Sequence, residues 1–204
     1  MFEDIISLGN LFTAWEEFKL GKVLTVDVQD FEHHLEDNIF RLNWELKNRT
    51  YKHGKYERFQ IFDPKHRIIH KADVRDRVLH HAIYRVLAPI FERSFIYDSY
   101  SCRIGRGTHA AVERLEYFVR KVSKNYTKPC WTLKCDIRKF FASIDRTILK
   151  SLIKEKVTDP KVVSLLDDIT NSFVPVDNLI ERERESFQES QSEISRRNFL
   201  RMCT

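Results

Sequence analysis

Apolar side chains return every three or four residues along most of the first 173 positions, and that period commits the chain to helices laid over a shared core. Leu8, Leu11, Phe12, Trp15 and Phe18 form a first stripe that stops near Gly21. Phe31, Leu35, Ile39, Leu42 and Leu46 form the stripe of a second helix, with Glu32, Glu36, Asp37, Arg41, Glu45 and Lys47 on its outward side. Residues 74–95 predict a long helix with Val78, Ala82, Val86 and Phe91 inward, and residues 108–122 another on Ala111, Leu115, Phe118 and Val122. A further helix is expected over residues 146–156. The next starts at Asp159-Pro160, an aspartate cap followed by a proline at the first helical position.

The period shifts to two in three places. After a turn at Lys52-His53-Gly54, residues 58–62 and 67–70 flank Asp63-Pro64-Lys65-His66 and predict an antiparallel hairpin with basic residues near its tip. In residues 131–137, Leu133, Cys135 and Ile137 alternate with Thr132, Lys134 and Asp136, which predicts a buried strand ending on a carboxylate, with Cys135 as a small core side chain. Many helices and few strands make this an α/β or α+β chain. Beyond Pro175 the pattern gives way to Glu181-Arg182-Glu183-Arg184-Glu185 and then Ser and Gln, the composition of a solvated, disordered tail.

Composition excludes several classes. With 204 residues, 42% of them hydrophobic, the chain can bury a core, and five Gly with five Pro exclude collagen-like or linker-dominated sequences. No uncharged apolar run reaches membrane-spanning length, and acidic Glu3 and Asp4 stand where a signal peptide carries basic residues. Cys102, Cys130, Cys135 and Cys203 have neither CxxC nor finger spacing, so a reduced, cytoplasmic protein is expected. The net charge of +5 suits a polyanionic partner without establishing one.

Few residues carry the marks of chemistry. An aspartate closing a strand before a turn and a helix, as Asp136 is expected to, is a recurrent metal ligand; it is equally a helix cap or a partner for Arg138 or Lys139. One aspartate does not make a two-metal site. Lys65, Arg67, Lys71, Arg75 and Arg77 suit phosphates or a solvated face. His33-His34 and His80-His81 are adjacent, diverge around a helix and read as structural. Gly105-Arg106-Gly107 is too short for a phosphate-cradling loop.

Three ordered segments nevertheless form a pattern: Ala72-Asp73-Val74-Arg75-Asp76-Arg77-Val78-Leu79-His80-His81-Ala82; Pro89-Ile90-Phe91-Glu92 through Ser99-Tyr100-Ser101-Cys102-Arg103-Ile104-Gly105-Arg106-Gly107-Thr108-His109-Ala110; and Leu133-Lys134-Cys135-Asp136-Ile137-Arg138-Lys139-Phe140-Phe141-Ala142-Ser143-Ile144-Asp145. Together they resemble bacterial reverse transcriptases of the group II intron and diversity-generating retroelement type, over residues 8–173. The resemblance implies a right-hand polymerase: residues 1–125 as fingers and early palm, 126–173 as partial palm with the first catalytic strand. It further implies Asp136 as the first catalytic metal ligand, helped by the Ile137 carbonyl, in a site that takes two Mg²⁺ ions in the complete enzyme. Phe141 would exclude a ribose 2′-OH, and Lys65, Arg67 and Arg75 would meet the incoming nucleotide or template. RNA template, DNA primer, deoxynucleotides and a retroelement accessory protein are the implied partners.

The family's Y-x-D-D signature occurs nowhere in these 204 residues. The resemblance therefore implies an N-terminal fragment of an RNA-directed DNA polymerase that is inactive alone, or else a non-enzymatic RNA-binding or regulatory remnant. Permitted codons for Ser192 to Thr204 also read, in the neighbouring frame, Gly-Asn-Phe-Thr-Ser-Gln-Phe-Leu-Ala-Asn-Val-Tyr, the motif expected after the first palm aspartate. Residues 174–204 are on that ground expected to be a frameshifted tail.

Overall fold

A computed structural model describes residues 1–62, 66–137 and 140–173; the proposed tail lies outside the described residues. The chain divides into two units, one formed by Met1–Tyr84 with Ile144–Thr204 and the other by Arg85–Ser143. The architecture is α+β, helix-rich with one small antiparallel sheet.

The first unit opens with α1 (Phe2–Ile6) and α2 (Leu8–Lys19), which meet at Ser7 because its hydroxyl accepts the Asn10 amide at 3.2 Å and caps α2. The expected second helix is two. α3 (Val26–His33) stops where His34 leaves helical geometry, and α4 (Leu35–Lys47) begins directly after it. Asn38 supports the break by donating to the Phe31 carbonyl at 3.1 Å, which also accepts from the His34 amide at 3.3 Å. Phe31 and Ile39 both reach the core across this corner. Glu45, expected outward, turns instead toward Arg75 at 2.8 Å.

The hairpin forms as the alternation predicts. β1 (Glu57–Ile61) pairs antiparallel with β2 (Arg67–Lys71), Phe59 opposite Ile69 and Ile61 opposite Arg67. α5 (Val74–Glu92) follows, with Val78 and Ala82 buried and Val86 and Phe91 only half-buried. α5 continues into the second unit from Arg85 onward. α8 (Arg146–Lys156) and α9 (Pro160–Ser172) complete the first unit, each started by an aspartate. Asp145 accepts from the Thr147 amide at 2.7 Å; Asp159 accepts from the Lys161 amide at 3.0 Å and the Phe2 amide at 2.9 Å. The Phe2 bond joins two helices 157 residues apart in sequence and holds the Asp159 carboxyl below its ordinary range.

Trp15, Phe18, Ile5, Ile6, Leu11, Ile39, Leu42, Val78, Leu79, Val157 and Val162 make the fully buried core of this unit. Burying one such side chain stabilises the fold by about 1.5–3 kcal/mol. Two amides lock the layers: Asn43 donates to the Ile6 carbonyl at 2.6 Å and Asn10 to the Ala82 carbonyl at 3.0 Å.

In the second unit, residues 93–107 lead from α5 to α6 (Thr108–Val122), and residues 123–139 lead to the single turn of α7 (Phe140–Ser143). Here two expectations are corrected. α6 forms where its spacing predicts, yet Leu115, Phe118 and Val122 stand exposed and Ala111 is only half-buried, because no described element lies over them. Residues 131–137 are not a buried strand. Trp131 is 94% exposed and Leu133 88%, and Cys135 and Asp136 are exposed as well. A strand needs a neighbour to take its backbone N–H and C=O groups, and among the described residues the only ladder is β1–β2. Cys102, Cys130 and Cys135 form no disulfide, and no described helix is long and apolar enough to cross a membrane.

With Trp44 replaced by phenylalanine, Trp131 should emit as a solvated indole and be quenched freely by acrylamide, while the fully buried Trp15 stays protected. A protected Trp131 would contradict the exposed segment.

Candidate functional site

Asp76 lies in the first turn of α5 and is fully buried. A carboxylate there survives only if its lone pairs are filled. Tyr51 donates its hydroxyl to Oδ1 at 2.9 Å, Arg75 adds Nε and Nη2 at 3.3 and 3.2 Å, and the Gly54 amide reaches Oδ2 at 2.7 Å. Arg75 in turn donates Nη1 to Glu45 at 2.8 Å and Nη2 to the Lys52 carbonyl at 2.6 Å, with its guanidinium over the Tyr51 ring at 5.2 Å. Burial first, and then the Asp76 charge, push the Tyr51 phenol well up from its ordinary value, so it remains a donor.

Gly54 is required at this point for space. A Cβ there would sit 2.6 Å from Asp73 Oδ2 and 3.0 Å from Asp76 Oδ2, inside contact distance. His53 stacks on Tyr56 at 4.8 Å and on His80 at 5.3 Å. Burial, followed by the neighbouring His53 charge, pushes His80 down to about 4, and its Nε2 is enclosed without a hydrogen-bond partner among the described residues. His81 points elsewhere, edge-on to Phe18 at 5.6 Å, so the pair diverges as its adjacency requires.

This network holds the chain entering β1. The chain leaving β2 is held by Asp27, which accepts from Lys71 at 2.8 Å and also from Arg77. Burial pushes the Asp27 carboxyl up, but those two hydrogen bonds outweigh it and leave the group below its ordinary value. The hairpin is thus fixed at both ends. Pairing places Ile61, Arg67, Phe59 and Ile69 on one face, and Arg58, His70, Gln60 and Ile68 on the other.

The basic run is sorted by these contacts. Lys71, Arg75 and Arg77 are occupied by Asp27, Glu45 and Asp76, whereas Arg67 and Arg58 are exposed with no acidic partner among the described residues. Lys65 lies outside the described residues. Arg67 and Arg75 belong to the first unit; Asp136 and Ile137 belong to the second, in its exposed extended segment. α7 starts at Phe140, so Asp136 is not its capping residue, and Arg138 and Lys139 are outside the described residues. Phe141 lies within α7; its side chain is not among those described. Among the described residues no group of three or more His, Cys, Asp or Glu is gathered to hold a metal ion. Asp136 and the Ile137 carbonyl are by themselves fewer ligands than a divalent cation takes.

Sequence reasoning missed the Tyr51–Gly54–Asp76–Arg75–Glu45 network. Its members are spread over 32 positions and share no period; the one local signal is the Asp-Arg pair in the first turn of a helix, which reads as a dipole-favoured cap.

No family model matches the chain. It is 27% identical over 93 residues to Nuclear intron maturase 1, mitochondrial, of Arabidopsis thaliana. It is 24% identical, also over 93 residues, to Protein YkfC of Escherichia coli strain K12. Each match covers 46% of this chain, and the matched stretches make up 12% and 24% of those two relatives. The similarity is therefore a distant one to a maturase, over a fraction of its length.

Two outcomes follow from the network. Gly54→Ala should cost about 1–3 kcal/mol, read as a lower midpoint in urea, because a methyl group is forced against two carboxylates. In the unfolded chain His80 takes its proton near 6.5, but in the folded chain only near 4. The unfolded state therefore binds more protons in that window, and stability should fall as pH drops from about 6.5 to about 4. His80→Phe, which keeps a ring against His53, should flatten that fall; an unchanged slope would remove His80 as its source.

Proposed function

We propose that the chain is the fingers-bearing part of a reverse-transcriptase-related protein and that it binds RNA through its hairpin. What carries this reading is the sorting of charge: Asp76, Glu45 and Asp27 absorb three cations of the basic run and leave Arg67 exposed, with no acidic partner among the described residues, on an anchored sheet. An exposed guanidinium on a rigid ribbon suits phosphate contact, which positions a polynucleotide without reading its sequence. The three ordered segments and the distant similarity to an intron maturase support the same class.

In this reading, polymerisation belongs to a longer protein that completes the palm. There Asp136 and the Ile137 carbonyl would hold one of two Mg²⁺ ions, Phe141 would bar the ribose 2′-OH, and Lys65 and Arg67 would line the path of template and deoxynucleotide, while Arg75, taken up by Asp76 and Glu45, would brace the hairpin behind them. Such ions would lower the charge on the phosphate under attack. The present chain contributes one carboxylate to that chemistry and should not extend a primer.

RNA affinity should fall linearly on a log–log plot as salt rises, and Arg67→Ala should lessen the slope by about one counterion. Filter binding across a salt series measures it. A folded protein whose RNA affinity ignores salt would refute the hairpin reading. In a protein extended through the palm, Asp136→Asn should abolish primer extension while RNA binding persists, because the amide keeps the shape and removes the anionic ligand.

A further inference from the structure

The second unit holds a surface that the hairpin reading does not use. Between Tyr97 and Lys134 the chain carries eight Lys or Arg against three Asp or Glu, an excess of five that equals the net charge of all 204 residues. The same stretch exposes Tyr97, Tyr117, Phe118, Tyr126 and Trp131, with Tyr97 66% and Tyr117 51% accessible.

These groups are interleaved. The Arg106 guanidinium lies 4.3 Å from the Tyr97 ring centre, and Arg114 lies 5.2 Å from Tyr97, 5.1 Å from Tyr117 and 4.5 Å from Phe118. Arg120 lies over Tyr126 at 5.9 Å. The central guanidinium is held from behind: Arg114 donates Nε and Nη2 to Asp98 at 2.8 and 3.4 Å, and the Tyr100 hydroxyl donates to the same carboxylate at 3.0 Å. Those bonds, led by that from Arg114, keep the Asp98 carboxyl below its ordinary range and so keep the clamp charged. Arg106 also donates to the Tyr97 carbonyl. Rings and guanidinium planes are thus prearranged, and they cost little further ordering when a flat partner arrives.

We propose that this Tyr97–Arg106–Arg114–Tyr117 surface binds a single-stranded polynucleotide by stacking its bases. The charge excess selects a polyanion, and exposed rings beside guanidinium planes offer the flat faces on which unpaired bases stack. A duplex keeps its base faces inside and presents only phosphates. The neighbouring aliphatic side chains Val112, Leu115 and Val122 of α6 carry no such selectivity. The proposal rests on the reading of the chain as a nucleic-acid-binding protein, but on different residues from the hairpin.

The test uses the full chain and a fluorescein-labelled oligo(U) about 20 nucleotides long, with oligo(dT) and a fully paired RNA of equal length beside it, read by anisotropy. Oligo(U) or oligo(dT) should bind more tightly than the duplex. Tyr117→Ala should weaken that binding by about fivefold or more, the loss of one stacked base, and Tyr117→Phe should restore it. Circular dichroism should confirm that each variant remains folded. If Tyr117→Ala and Arg106→Ala lower the melting temperature without changing affinity, the array is only a loop staple and the proposal falls. It falls also if the duplex binds equally well, or if polyglutamate displaces the oligonucleotide as readily as unlabelled oligo(U). Sensitivity to Arg67→Ala with indifference to Tyr117→Ala would overturn this surface and leave the hairpin reading standing; the reverse pattern would overturn the hairpin alone. No binding of any oligonucleotide would overturn both.

Discussion

A carboxylate sealed inside the first unit organises what surrounds it. Asp76 has no access to water, so every donor that reaches it is compulsory: the Tyr51 hydroxyl, the Gly54 amide and the Arg75 guanidinium. Removing one partner of such a buried pair costs about 3–5 kcal/mol, since the remaining charge is stranded. This expense fixes the path of residues 51–54 against the start of α5, and with it the position at which β1 begins. Without it, a two-stranded ribbon whose residues are mostly exposed would have little to hold it, because an isolated hairpin is marginal in water.

The same network decides which cations face solvent. Arg75 spends its guanidinium on Asp76, Glu45 and the Lys52 carbonyl, and Lys71 and Arg77 converge on Asp27. What remains for a ligand is the subset with no ion pair among the described residues, Arg67 and Arg58. A run of positive charge in a sequence thus overstates the charge available on a surface. In the second unit the arrangement differs: its cations lie against aromatic rings, and Asp98 holds Arg114 in place while the rings stay exposed.

Several elements were legible before any coordinates. The α2 stripe of Leu11, Trp15 and Phe18 is buried as its spacing demands, the hairpin has its expected strands, and Asp159 caps α9. These succeed because period and capping are local. The failures are non-local. Leu115 and Val122 have the spacing of a buried helix face, but spacing states which residues share a face and not whether another element covers it. Leu133, Cys135 and Ile137 alternate like a strand, yet a strand exists only where a second segment supplies hydrogen bonds.

The candidate sites divide along the same line. The sequence singles out Asp136, Arg67 and Arg75 as residue types in a familiar order, and folding leaves Arg67 exposed while it half-buries Arg75 and takes up its guanidinium with Asp76 and Glu45. The Asp76 network joins residues from 45 to 76 that no periodicity links. Sequence alone determined helix content, the hairpin, the caps and the identity of charged side chains, because these depend on neighbours within about four positions. Tertiary structure decided which carboxylates neutralise which cations and which apolar faces are covered, because Coulomb attraction and burial act through space between segments that the chain brings together only on folding.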